Sequence, residues 1–148
     1  MIIKKIAVGN KTEGFIESSL IDGCNIISSD DNNKGKTIVL QGLMYALGNI
    51  PAFPASFNYE DYYYIVDFQI DKKEYSICRK GSEFVMLDGG KILIFDGVSE
   101  LKRYWNKNIF EMPNIIKNNM QRIVDPDLFI QLFFVGQDKK STDNIENR

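Results

Sequence analysis

The sequence contains no histidine among its 148 residues and only two cysteines. Without histidine, the chain cannot form a Ser-His-Asp triad, a Cys-His pair or a histidine-ligated zinc site. Any chemistry must therefore use carboxylates, Lys, Thr, backbone amides or a borrowed metal ion. Cys24 and Cys78 lie far apart in apolar surroundings and form no CxxC arrangement, so we expect two buried, reduced thiols.

Long hydrophobic runs are also missing. No run approaches the roughly 18 to 20 residues that a membrane span needs, and residues 1–5 lack the features of a secretory signal. We therefore expect a cytoplasmic protein with no membrane partner. The 18 Lys and Arg against 20 Asp and Glu leave a net charge of -2, which argues against a surface devoted to nucleic acid. The 44% hydrophobic content suits one globular domain.

Short runs rich in β-branched and aromatic residues, separated by turn residues, predict a largely β-structured chain. We expect strands at 1–8, 15–20, 24–27 and 129–135. Four further runs lie between about 62 and 95, and only two or three residues separate each run from the next. Such spacing indicates an antiparallel meander.

Two short helices are predicted downstream of the meander. The first spans 99–107 with Ser99 as its cap, and the second spans 114–122 before Pro126. Upstream, the aromatic run at 57–64 has no interleaved Lys or Arg. This favours an edge strand or a partner contact over a platform for stacking nucleic-acid bases.

A polar loop at about 28–37 leads into an apolar run at about 36–47 that ends at Gly48. We predict that this run is a buried helix opened by Gly35-Lys36-Thr37. A strand, a polar loop and a helix in this order have the geometry of a phosphate-binding loop. Loop amides then surround a phosphate, the lysine reaches outer phosphate oxygens, and the threonine hydroxyl ligates Mg²⁺. The template G-x-x-x-x-G-K-[ST] places its first glycine at Asp30, a carboxylate close to the expected phosphates.

Residues 23–48 resemble the N-terminal lobe of ATPases of the SMC, RecF and RecN type, which belong to the ABC superfamily. Asn32 matches the loop asparagine of that family, Gly35-Lys36-Thr37 match its phosphate and magnesium contacts, and Gly48 matches its helix end. Asp30 and Asn33 depart from the family pattern. The resemblance implies an ATP and Mg²⁺ site whose nucleotide-contacting residues are Asn32, Asn33, Lys34, Gly35, Lys36, Thr37 and Ile38.

A second match lies at about 135–138, where Gln137 follows an apolar run. In the family, such a Q-loop glutamine contacts Mg²⁺ and senses the γ-phosphate. The resemblance therefore implies metal ligation by Thr37 and Gln137, and catalytic roles for Lys36 and Gln137. We accordingly predict one α/β lobe over 1–148: a P-loop helix on a mixed sheet plus an antiparallel β-subdomain, an incomplete ABC ATPase head.

No LSGGQ-like signature and no Walker B strand ending in Asp-Glu are recognisable in the sequence. The resemblance thus implies that a C-terminal lobe or a second head completes the site, and that this chain binds ATP but hydrolyses it poorly. The parent protein would act in DNA repair, DNA maintenance or defence against foreign DNA, and DNA is then a partner of the parent. Two alternatives remain open: an interaction lobe that has lost nucleotide, and a small phosphotransferase using Asp96 for Mg²⁺.

Overall fold

A computed structural model describes residues 1–28, 30, 35–50, 53–117 and 119–124. Its eight strands and two helices, with one short 3-10 turn at Tyr59–Asp61, follow in chain order. They are β1 (Ile2–Gly9), β2 (Gly14–Glu17), α1 (Lys36–Ala46), β3 (Tyr63–Ile70), β4 (Lys73–Lys80), β5 (Glu83–Asp88), β6 (Lys91–Phe95), α2 (Val98–Asn108), β7 (Asn114–Lys117) and β8 (Met120–Ile123).

Six strands form one sheet in the order β2-β1-β3-β4-β5-β6, and each neighbouring pair is antiparallel. The predicted meander is present as β3 to β6. Tight turns join its strands: Asp71 and Lys72 both adopt positive φ, at 49° and 69°, between β3 and β4. Two positive φ angles in a two-residue connection match the twist of antiparallel strands.

One face of this sheet carries the core. Alternate residues of β3, β4 and β5 point inward and are buried: Tyr64, Val66, Phe68, Tyr75, Ile77, Phe84 and Met86. Helix α1 covers this face over β1, β3 and β4. Helix α2 adds Leu101 and Trp105, and the Trp105 ring stacks on Phe68 with centroids 5.3 Å apart.

The opposite face carries a row of apolar side chains that crosses all six strands. Directly paired residues lie on the same face of a sheet, and the pairings run consecutively through Ile16, Ala7, Ile65, Cys78, Val85 and Ile94. Ile16 and Ile94 are each 70% exposed. Within the described residues, both helices pack on the other face, so this row faces outward.

The strand predicted at 24–27 is absent, because residues 18–28 form an irregular segment after β2. The Asn25 side chain accepts a hydrogen bond from the Ile21 amide and donates one to the Ile21 carbonyl oxygen, both at 2.9 Å. Local side-chain bonds of this kind compete with strand pairing. The predicted mixed sheet is not found among the described residues either, because every described strand pair is antiparallel. The strand predicted at 129–135 lies outside the described residues.

The prediction of a helix at 114–122 is also wrong. The segment is the β7–β8 hairpin, whose turn contains Asn119 at a φ of 56°. Asn tolerates this left-handed conformation, and the β-branched pair Ile115-Ile116 favours a strand.

The helix predicted at 99–107 exists as α2, but Ser99 is not its cap. Gly97 holds that position, and its carbonyl oxygen accepts from the amides of Glu100 and Leu101, both at 3.2 Å. The cysteines differ from expectation as well: both are free, but Cys24 is exposed and Cys78 is half-buried. Burial raises the pKa of the Cys78 thiol.

The aromatic run packs into the fold instead of forming a base-stacking platform. Tyr64 is fully buried, and its hydroxyl donates to the Tyr59 carbonyl oxygen at 3.0 Å. The Tyr45 ring makes edge-on contacts with Phe53, Tyr59 and Tyr64 at centroid distances of 5.0 to 5.8 Å. These rings therefore join α1 to the start of β3.

Candidate nucleotide site

The first turn of α1 lies where the sequence predicted it, directly after Gly35. Gly35 adopts a left-handed conformation with a φ of 76°, and its carbonyl oxygen accepts from the Val39 amide at 3.0 Å. No side chain of the described residues caps this helix, and its first turn contains no acidic residue. The leading amides and the positive end of the helix dipole therefore suit an anion.

Lys36 is half-buried and Thr37 is exposed at this helix start, and Ile38 is half-buried beside them. Asp30 lies in an exposed bend before the helix. Four predicted site residues lie outside the described residues: Asn32, Asn33, Lys34 and Gln137. Their roles stay predictions.

A pocket of about 310 Å³ adjoins the start of α1. Its polar lining comes from Glu13, Ser28, Lys36 and Tyr62, with the backbone of Gly14 and Gly35. Its apolar lining comes from Val8, Phe15, Ile27, Ile38, Val39 and Phe57. Apolar walls with a few convergent polar groups are typical of a small-molecule site.

The β1–β2 turn places Glu13 over this pocket. Asn10 builds the turn, because its Oδ1 accepts from the amides of Thr12 at 2.9 Å and Glu13 at 3.1 Å. Tyr62 lies directly before β3, and its hydroxyl donates to Glu13 Oε1. This hydrogen bond raises the pKa of Tyr62. Phe57 packs on the Tyr62 ring with centroids 4.7 Å apart.

Close packing holds the middle of α1 against the sheet. A Cβ atom at Gly42 would lie 2.8 Å from a ring carbon of Tyr64 and 3.1 Å from a methyl of Val8. Only glycine allows the helix to approach the sheet this closely.

The C-terminal end of α1 is held by Arg79 of β4, which is only 8% exposed. Its Nη1 donates to the main-chain carbonyl oxygens of Tyr45 at 2.7 Å and Asn49 at 3.1 Å. Its Nε donates to the Gly81 carbonyl oxygen at 3.0 Å. A cation at these carbonyls also complements the negative end of the helix dipole. Burial lowers the pKa of Arg79.

No group of three or more His, Cys, Asp or Glu in the described part of the chain is placed to hold a metal ion. Within the described part of α1, the first turn offers a metal ion the exposed Thr37 hydroxyl. One hydroxyl together with phosphate oxygens and water is a donor set that Mg²⁺ accepts. The residues present fit a magnesium ion that arrives with a nucleotide.

Asp96 lies away from this helix start. It follows β6, the edge strand at the opposite end of the sheet from β2. Gly48, beyond the last turn of α1, lies against Val98 and Leu101 of α2. Helix α2, which Asp96 precedes, thus lies near the C-terminal end of α1, whose 11 residues span roughly 16 Å. This placement removes the support for the phosphotransferase alternative.

Three residues that shape this region were not identified from the sequence: Glu13, Tyr62 and Arg79. Glu13 and Tyr62 are 49 positions apart, and no pattern in the sequence links them. The position of Arg79 could be predicted from the sequence, because alternation with Tyr75 and Ile77 places it on the core face of β4.

No protein-family model matches the chain. The chain is similar to Lamassu protein LmuB of Bacillus cereus (strain VD014), at 24% identity over 150 aligned residues. That alignment covers 99% of the chain and 26% of the relative, so the chain spans about a quarter of that protein's length. A second Lamassu protein LmuB, from Bacillus sp. (strain NCIM 5461 / CCTCC AB 2011126 / NIO-1130), is 33% identical over 67 residues, covering 45% of the chain and 12% of the relative.

Among the residues that the structure describes, no helix has the length and apolarity that crossing a membrane requires.

Proposed function

We propose that this chain binds ATP with Mg²⁺ at the start of α1, as the N-terminal lobe of an SMC-like ATPase. The observation that carries the proposal is the pocket at the start of α1, a helix that begins Gly35-Lys36-Thr37 and that no side chain of the described residues caps. In this proposal Lys36 binds phosphate oxygens, Thr37 ligates Mg²⁺, and the amides of Gly35 to Ile38 contact phosphate. Asn32, Asn33 and Lys34 complete the loop, and Gln137 contributes to the metal site and senses the γ-phosphate.

The parent activity that we propose is defence against foreign DNA, as in anti-phage systems. Similarity to Lamassu protein LmuB along almost the whole chain supports this choice over DNA repair or maintenance. Because the chain matches about a quarter of that relative, we propose that a further ATPase lobe or a second head completes the site. DNA is then a partner of the complete assembly.

Nucleotide titration of the purified chain tests the proposal. We expect Mg²⁺ with a non-hydrolysable ATP analogue to release heat of binding in the unaltered chain, and Lys36→Ala to abolish it. Lys91→Ala is the matched control, because it removes one lysine at the far edge of the sheet. Unchanged circular dichroism of Lys36→Ala ensures that lost binding is not lost folding. Equal binding by Lys36→Ala, or no binding by the unaltered chain, would overturn the proposal.

We further propose that the isolated chain turns over ATP poorly, since no Walker B Asp-Glu pair is recognisable in its sequence. Phosphate release measured over many hours should stay near the uncatalysed background. Multiple turnovers that disappear in Lys36→Ala would contradict this part of the proposal.

The second candidate is an interaction lobe without nucleotide. The apolar row across the open face of the sheet favours it, because exposed apolar patches on a folded domain often mark interaction sites. Lys36-dependent nucleotide binding would remove this candidate as the sole function of the chain.

A further inference from the structure

We propose that Glu13 recognises the exocyclic amine of the nucleotide base, with Tyr62 as its positioning residue, so that the site selects ATP over nucleotides that lack a 6-amine. This inference rests on the proposed nucleotide site and concerns the part of the pocket that phosphates do not fill. It assigns a specificity-determining residue to the β1–β2 turn.

Glu13 and Tyr62 line the same pocket as Gly35 and Lys36 at the start of α1. Phosphates bound at that helix start would leave the remaining wall for the base. That wall is largely apolar, through residues such as Phe15, Ile27 and Phe57. Flat apolar and aromatic surfaces suit a stacked base, whichever base it is. Discrimination between bases must therefore come from polar groups in the wall.

The Glu13 carboxylate can only accept hydrogen bonds. Tyr62 has one hydroxyl proton, and it donates that proton to Glu13 Oε1. The hydrogen bond from Tyr62 goes to one carboxylate oxygen of Glu13, and the second carboxylate oxygen can accept from a ligand. An amine donor placed there gains a charge-assisted hydrogen bond. A carbonyl oxygen placed there faces a carboxylate and leaves both groups unpaired.

Adenine carries an amine at position 6, where hypoxanthine carries a carbonyl oxygen, and the two bases have nearly the same shape. ATP and ITP therefore separate amine recognition from stacking. A site that hydrogen-bonds a substrate amine rejects an analogue lacking it more strongly than an apolar site rejects a change in size. We expect ATP to bind about 10 to 100 times more tightly than ITP, the range of a hydrogen bond to a charged group.

The test is competition binding of ATP, ITP and inorganic tripolyphosphate, each with Mg²⁺, to the full chain. In Glu13→Gln the amide can donate to the 6-carbonyl, so the ATP-to-ITP preference should fall to within about threefold of one. Tripolyphosphate, which has no base, should bind as it does to the unaltered chain. Glu74→Gln, an exposed carboxylate on β4 outside this pocket, is the matched control and should keep the preference.

Tyr62→Phe tests the positioning role, because it removes the hydroxyl that holds Glu13 and leaves the ring that packs on Phe57. Its ATP-to-ITP preference should decrease while its tripolyphosphate affinity stays constant. Tyr63→Phe, the exposed neighbour, should change neither.

Three results would overturn the inference in distinguishable ways. Equal binding of ATP and ITP by the unaltered chain removes base recognition but leaves the phosphate site. A preference that survives Glu13→Gln assigns recognition to another residue. Failure of both ATP and tripolyphosphate to bind removes the nucleotide site itself, and this inference falls with it. Equal melting temperatures of the variants and the unaltered chain exclude misfolding as the cause.

Discussion

The guanidinium of Arg79 lies over the ring of Tyr45, with its central carbon 3.6 Å from the ring centroid. The same two residues meet again through Arg79 Nη1 and the Tyr45 main-chain carbonyl oxygen. The Tyr45 hydroxyl and Arg79 Nε also share one acceptor, the Gly81 carbonyl oxygen. A buried cation from β4 thus fixes the end of the helix whose beginning forms the candidate nucleotide site.

Replacing Arg79 with Met should destabilise the fold by about 2–4 kcal/mol, because buried carbonyl oxygens of Tyr45 and Asn49 lose their donor. Arg79→Lys should recover part of that loss, since one ammonium cannot reproduce the planar fork. Urea denaturation measures both. Lys80→Met, at the exposed next position, is the control and should change stability by less than about 1 kcal/mol. Equal losses at residues 79 and 80 would contradict the anchoring role.

Gly42→Ala should destabilise the chain by about 1–3 kcal/mol through overpacking against the buried Tyr64 ring. The sign of this change in stability is informative, because replacing Gly with Ala inside a helix otherwise increases stability by up to about 1 kcal/mol. Gln41→Ala, one position earlier in α1, adds no side-chain volume and serves as the control. In thermal and urea denaturation, Gly42→Ala should be less stable than the unaltered chain, whereas Gln41→Ala should not be. A stabilised Gly42→Ala would refute the close approach of α1 to the sheet.

Asp88 links β4 to α2. Its Oδ1 lies 2.5 Å from Lys73 Nζ, and its Oδ2 accepts from the Tyr104 hydroxyl at 2.5 Å. Both partners lower the pKa of Asp88 below its ordinary value. The stabilisation is therefore present above the unfolded pKa of about 3.9 and is lost as the pH falls through the lower folded value.

Asp88→Asn should accordingly lower the free energy of unfolding by about 1–3 kcal/mol at pH 7. The gap between the variant and the unaltered chain should narrow below about pH 4, as the native carboxylate becomes protonated. Urea titrations from pH 7 to pH 2.5 measure this gap. Asp71→Asn, in the β3–β4 turn, is the control substitution. A gap that stays constant with pH would contradict the proposed ion-pair contribution.

Ile92 and Ile94 point away from the core, at 69% and 70% exposure, on an edge strand of the sheet. Replacing either with Thr should change stability by less than about 0.5 kcal/mol and should reduce self-association, because apolar edge strands promote pairing between molecules. Light scattering against concentration measures the association. Phe95→Thr, whose buried side chain lies on the opposite face of the same strand, should instead unfold at much lower urea. Unaltered light scattering in both Ile variants would refute the association.

The meander could be predicted because its determinants are local. Turn residues such as Asp71-Lys72 and Gly89-Gly90 separate runs whose alternation fixes the buried face. The helix start at Lys36 was predictable for the same reason, since Gly35 and the apolar run that follows are adjacent in sequence.

The errors arose where side chains interact with nearby backbone or with distant residues. Asn25 binds the backbone of Ile21 and prevents a strand that the apolar composition favoured. Glu13 meets Tyr62 only after β1 pairs with β3, so their contact depends on tertiary structure. Arg79 could be placed on the core face, but its acceptors at Tyr45 and Asn49 follow from how α1 docks.

Asp30 occupies the position of the first glycine in the phosphate-loop template and lies exposed before α1. Its carboxylate would repel a bound triphosphate, and partial solvent screening would keep that repulsion moderate. Asp30→Asn removes only the charge and should tighten binding of the Mg²⁺-ATP analogue by about 3 to 10 times at low salt. Asp30→Gly should tighten binding of the analogue at least as much, because glycine also restores the first glycine of the phosphate-loop template.

The salt dependence separates charge from loop shape. The gain in nucleotide affinity from Asp30→Asn should shrink as salt rises from about 0.05 M to about 0.5 M. At high salt, screening weakens the repulsion between Asp30 and the phosphates in the unaltered chain, so the variant has less to gain. Any extra gain in Asp30→Gly should persist at high salt. Asp22→Asn, another exposed carboxylate ahead of the loop, is the control and should leave affinity unchanged. Weaker binding in Asp30→Asn would instead mean that the carboxylate assists the nucleotide's cation, and the proposed repulsion would then be wrong.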